Sequence, residues 1–118
     1  MRALVCGSRS WAQPVLVYDR LQLLEPGTVV VHGACEQGAD RMADWAADLL
    51  GLAVEPHPAE WPSYGRSAGH RRNAEMLATL ARDTDRVIAF LSPSYSPGTR
   101  GMIRLAERGR YVLEVIEP

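Results

Sequence analysis

The chain has 118 residues, 47% of them hydrophobic and 23% charged, with a formal net charge of −1 at pH 7. That length suits one domain over residues 1–118, with a core large enough to fold without disulfides or metals. The near-zero charge argues against a domain that coats nucleic acid, because such binding rests on neutralising phosphates. Apolar runs of only a few residues, as at 29–31 and 87–91, are too short to cross a membrane. With no signal-peptide pattern behind Met1, a cytoplasmic protein with reduced thiols is expected. Cys6 and Cys35 form no CxxC pair and His32, His57 and His70 have no ligand-like spacing, so neither metal nor cofactor is expected. All 13 basic residues are arginines, a bias that fits a GC-rich coding sequence.

In chain order, residues 2–6 read as a short apolar strand, followed by a loop at 7–12. Residues 14–24 carry Val17, Leu21 and Leu24 at helical spacing, with Pro14 suited to a first turn. A strand at 28–32 leads into the loop 33–38. A helix over 38–50 then places Met42, Trp45 or Ala46, and Leu49 on one face, and Gly51 stops it. A third strand at 52–56 precedes an irregular stretch, 57–67, with Pro58, Trp61, Pro62, Tyr64 and Gly65. The helix at 68–81 offers Ala74, Leu77, Ala78 and Ala81 to the core. A fourth strand at 86–91, a helix at 97–108 with Met102, Leu105 and Ala106, and a strand at 111–116 complete the chain. Continuous apolar strands alternating with helices predict an α/β fold, a Rossmann-like three-layer sandwich around a mostly parallel sheet of order 3-2-1-4-5. Ligands of such sheets bind at the carboxyl ends of the strands, beside the switch point between the first and fourth.

Four loops meet there. In the first, Gly7 lets backbone approach a ligand, Ser8 and Arg9 supply donors, and Trp11 offers either a flat surface or a core ring. The dinucleotide pattern G-x-G-x-x-G is absent. The second has the G-x₄-G spacing of a P-loop from Gly33 to Gly38, but Ala39 and Asp40 replace the Lys and Ser or Thr of a triphosphatase. What remains is a glycine-rich turn feeding a helix start, where anions bind readily. Asp40 reads as the cap of that helix or as an acceptor for ribose hydroxyls. The third loop brings Arg66, Arg71, Arg72 and Asn73 to a helix start that already repels cations, which favours a phosphate role for the guanidinium forks. The fourth offers Gly98, Thr99 and Arg100 behind Ser96 and Pro97, a pattern that also fits simple capping.

Together these pieces resemble the SLOG superfamily, and within it the YspA/cpYpsA-related branch found in phage and actinobacterial genomes. The carriers are Leu4-Val5-Cys6-Gly7-Ser8-Arg9 with Trp11, Val31-His32-Gly33 with Gly38-Ala39-Asp40-Arg41, Pro58-Ala59 with Trp61, Tyr64-Gly65, Ala68-Gly69, Arg72-Asn73 with Met76, and Gly98-Thr99 with Met102. The resemblance implies a domain that binds a nucleotide or nucleotide-derived ligand and pairs as a homodimer, with Trp45 and Tyr18 as surplus apolar surface. LOG phosphoribohydrolases of this group cleave the N-glycosidic bond of nucleoside monophosphates with an arginine, matched by Arg72, and a glutamate closing P-G-G-x-G-T-x-x-E. Here Met102 stands at the glutamate, at a position the mechanism turns toward the ribose, and Ser94-Tyr95-Ser96 replace P-G-G. A binding or sensing role is therefore expected first. The alternative is a nucleotide-processing enzyme with Arg72 and a carboxylate from Asp40 or Glu36. Single-stranded DNA binding, with Trp11, Trp61 and Tyr95 stacking bases, is a distant third.

Overall fold

A computed structural model describes Met1–Pro118. In chain order it contains β1 (Arg2–Gly7), α1 (Pro14–Leu21), β2 (Val29–His32), α2 (Ala39–Leu50), β3 (Ala53–Pro56) and a short α3 (Trp61–Tyr64). A 3-10 turn at Gly65–Ser67 leads into α4 (Ala68–Ala78), then β4 (Arg86–Phe90), α5 (Pro97–Arg108) and β5 (Val112–Ile116). The five strands form one sheet of order β3-β2-β1-β4-β5 with every pair parallel, as the alternating pattern predicts.

Both faces of the sheet are covered, which is why the central strands read as unbroken apolar runs. On one face Ala3, Val5, Val30, Ile88 and Phe90 pack against Val17 and Leu21 of α1 and an alanine stripe of α2, Ala39, Ala43, Ala46 and Ala47. On the other, Leu4, Cys6, Val31, Val87 and Ala89 pack against Met76, Leu77 and Leu80 around α4 and Met102 and Ala106 of α5.

Two helices turn inward a side different from the one expected from their apolar spacing. In α2 the alanines face the sheet, while Trp45 and Leu49 remain 46% and 59% exposed. Small side chains let the helix approach the strands closely, and α1 fills the flank, with Tyr18 and Trp45 ring centroids 6.1 Å apart. In α4, Ala68, Asn73, Met76 and Leu77 are buried and Ala74 and Ala78 exposed. That rotation puts the larger apolar side chains Met76 and Leu77 on the core, where burial stabilises most. Helices α1 and α4 also stop three residues earlier than the apolar spacing suggests, at Leu21 and Ala78. No helix is long and apolar enough to cross a membrane.

Candidate functional site

The carboxyl ends of the strands open into a cleft of about 1020 Å³ at the β1/β4 switch point. The loop after β1 lines it through Arg9 and Ser10, the loop after β2 through Gly33 to Gln37, and the loop after β3 through Pro58, Ala59 and Trp61. The loop after β4 contributes Ser94 to Thr99, and α4 contributes Arg72, Asn73 and Met76. A smaller hollow of about 480 Å³, around Pro14, Met42 and Trp45, lies between the starts of α1 and α2.

Glycines let the loops around the cleft pack closely, although Gly38 itself lines the smaller hollow and not the cleft. A Cβ on Gly7 would sit 2.7 Å from the Phe90 carbonyl oxygen, and one on Gly38 would sit 2.6 Å from Arg9 Cα. Gly38 also has φ of 74°, a region that L side chains rarely adopt. At Gly33 a Cβ would lie 2.7 Å from Arg72 Cζ and 3.0 Å from Asp40 Oδ2, so glycine there lets the two opposite charges approach across the backbone.

Asp40 is not the cap of α2. Gly38 holds that position without a side-chain bond, and Asp40 lies within the first turn as the second helical residue. Its buried carboxylate reaches back to accept the Cys35 N–H at 3.2 Å. Burial pushes the Asp40 pKa up, against the pull of the Cys35 N–H and the neighbouring charges. The same burial, with Asp40 nearby, raises the Cys6 thiol far above its usual range and keeps it protonated.

Sequence reasoning passed over His32. Its Nδ1 accepts the Ala34 N–H at 3.0 Å, so the ring proton sits on Nε2, 3.0 Å from Asp44 Oδ1. This bond supports Ala34 at φ of 57°, an uncommon conformation for a residue with a Cβ. The signal available in sequence was a histidine at a strand end with an aspartate on the first turns of the next helix.

Arg72 is held on two sides. Nε donates to Asn73 Oδ1 at 2.9 Å, and Nη1 donates to the carbonyls of Gly33 and His57. Nη2 has no protein acceptor, and Asn73 in turn donates to the Gly98 carbonyl at 3.5 Å, linking the arginine to the start of α5. There Ser96 occupies the cap position and Pro97 the first turn, yet no side chain caps the helix. The Ser96 hydroxyl is drawn into a chain instead. The Ser92 N–H donates to Ser8 Oγ at 3.0 Å, Ser8 meets Ser96 Oγ at 2.6 Å, and Ser96 donates to the Ser94 carbonyl. The amides of Gly98 and Thr99 therefore lack a side-chain acceptor at the cleft wall.

Of the residues singled out in the sequence, the structure brings Gly7, Ser8, Arg9, Gly33, Glu36, Asp40, Arg72, Asn73, Gly98 and Thr99 to the cleft, along with Cys6 and Cys35. Ser8 lies beneath it, its hydroxyl committed to the serine chain. Trp11 is a core ring, 3% exposed and 5.3 Å from Phe90, with its N–H on the Gln13 carbonyl. Arg71 stacks its guanidinium 4.4 Å above the Tyr64 ring, and Arg100 points to solvent, so neither lines the cleft. Met102 does not turn toward the cleft but is fully buried against Met76 and Leu4, because α5 rests that side on the sheet.

The model of the YspA, cpYpsA-related SLOG family matches residues 1–64. The chain belongs to that family. It is also similar to the Gene 61 protein of Mycobacterium phage D29, 38% identical over 116 residues, spanning 91% of this chain and 89% of the relative. No solved structure matches. The SLOG match covers the ends of β1, β2 and β3, the Gly33–Gly38 loop and Asp40, but not Arg72, β4 or the start of α5.

Proposed function

We propose that the cleft binds a nucleotide or nucleotide-derived ligand in the cytoplasm, with its phosphate between Arg72 and the start of α5. One observation carries this reading: an oriented guanidinium with a free Nη2 stands next to an uncapped helix start at the sheet's switch point. Arg9, exposed at the rim, adds positive charge without any internal partner to lose. SLOG membership, a nucleotide-related family, supports the same ligand class.

The test is thermal denaturation with a panel of nucleotides. A ligand at a hundred times its Kd raises stability by about 2.7 kcal/mol, and Arg9→Ala should shrink that gain while leaving the unliganded melting temperature unchanged. A panel in which no nucleotide shifts the protein would falsify the reading.

A second reading rests on Asp40, a buried carboxyl with a raised pKa lining the same cleft, which is how general acids are often prepared. Release of free base from a monophosphate, lost in Asp40→Asn, would place an N-glycosidic hydrolase first. The exposed Trp45 and Leu49 on α2 also fit pairing with a second copy, seen in light scattering as twice the 13.0 kDa chain mass.

A further inference from the structure

The cleft has a polar end, already described, and an aromatic end that no role yet explains. Trp61 opens α3 and is 48% exposed; Tyr95, in the loop after β4, is 81% exposed. Single exposed aromatics are ordinary on a surface. These two stand on the walls of the same cleft, one from the β3 side and one from the β4 side of the switch point.

Trp61 is also fixed. The amides of Ser63 and Tyr64 both bond the Glu60 carbonyl, closing the α3 turn, and Tyr64 is clamped under the Arg71 guanidinium. The indole rests on α4 where Gly69 leaves room: a Cβ there would come within 3.3 Å of Trp61 Cη2. The ring is thus backed by a helix on one side and open to the cleft on the other. A ring held in place loses little freedom on binding, which is what makes an aromatic side chain an effective contact.

From this geometry we infer that Trp61 is the stacking platform for the nucleobase of the ligand, with Tyr95 closing from the opposite wall. The ligand class is then a base-bearing phosphate rather than a sugar phosphate or inorganic phosphate. The cleft volume agrees, since about 1020 Å³ lies at the upper end for small-molecule sites and far exceeds what a phosphate fills. Stacking tolerates any base because each has a π face, so purines and pyrimidines both bind, with the larger rings favoured.

This inference rests on the phosphate reading above, and the experiment separates the two. Adenosine monophosphate and ribose 5-phosphate are titrated into the wild type and into Trp61→Leu by calorimetry, with tryptophan fluorescence followed in parallel. Trp11 lies in the core and Trp45 on the outer side of α2, so quenching by a ligand in the cleft reports Trp61. The expected result is that the nucleotide binds about ten- to hundredfold tighter than ribose 5-phosphate and quenches the wild type. In Trp61→Leu that preference collapses while ribose 5-phosphate affinity is unchanged, and Trp61→Phe restores most of it. Equal affinities in the wild type, or a preference that survives Trp61→Leu, overturn the stacking role and leave the phosphate reading standing. Binding of neither compound removes both.

Discussion

The helices α2 and α5 begin at the same level of the fold, each just past the carboxyl end of a strand, yet their first turns are furnished in opposite ways. The start of α2 carries its own anion. Asp40 bends back over the turn and accepts the Cys35 N–H, and Arg72 approaches it across Gly33. The start of α5 carries none: Pro97 removes one donor, the Ser96 hydroxyl serves the serine chain, and Gly98 and Thr99 bring no charge. An amide-rich turn that supplies its own carboxylate has little to offer a phosphate, whereas one left bare beside a guanidinium has much. Equivalent positions in one fold can thus differ in whether the helix start supplies its own anion.

The largest expected effect comes from giving α5 a carboxylate of its own. Met102→Glu places it in the core against Leu4 and Met76, not over the first turn. We expect a loss of about 3–5 kcal/mol, read by denaturant unfolding, with no gain of hydrolysis. A stable, active variant would show that the side chain can turn to the cleft and would break the contrast.

Next in size is Arg72→Ala. Removing its donors from Gly33 and His57 should destabilise the protein by about 1–3 kcal/mol and weaken nucleotide binding by about ten- to hundredfold. Arg72→Lys keeps the charge but not the fork, and should recover less than half of the lost binding free energy.

A smaller effect, but one of definite sign, follows from Asp40. Its pKa is higher in the folded protein than in the unfolded chain, so the folded state holds the proton more tightly. Wild type is therefore favoured at low pH and loses that advantage as pH rises from about 4 through the raised folded value. Asp40→Asn keeps an acceptor for the Cys35 N–H and does not titrate. Its melting temperature should exceed that of wild type at pH 7, the gap closing toward pH 4. A wild type that is the more stable at pH 7 would mean the α2 start attracts its own carboxylate more strongly than burial opposes it.

The smallest change is Ser96→Ala. If that hydroxyl serves Ser8 and not α5, stability falls by about 1 kcal/mol and nucleotide affinity stays where it was. Weaker binding on calorimetry would give Ser96 to the ligand.

The sheet was legible because parallel strands covered on both faces leave runs such as Leu4-Val5-Cys6 and Val87-Ile88-Ala89, and because glycine and proline punctuate the helices. The inward faces of α2 and α4 were less so. Reading by size favours Trp45 and Leu49, but close packing on strands selects small residues, and the stripe Ala39, Ala43, Ala46, Ala47 carries helical spacing just as well. The turn at Trp61–Tyr64 has no periodicity to detect and contains a proline. At the site, the glycines and Arg72 were recognisable by residue type. The inward bend of Asp40 and the tautomer of His32 were not, since both depend on which amide happens to lie within reach.

The strand order has a consequence for synthesis on the ribosome. β1 is the first strand made and the middle of the sheet, hydrogen-bonded to β2 on one side and β4 on the other. Its β2 side is filled once residues 29–32 have emerged, but its β4 side waits for residues 86–90. At roughly 5–20 residues per second, the nascent chain carries an open, apolar strand edge for about 3–12 seconds. Such an edge is a template for pairing with other chains. Truncated products that end before β4 should accordingly be the sticky, short-lived forms of this protein in the cell.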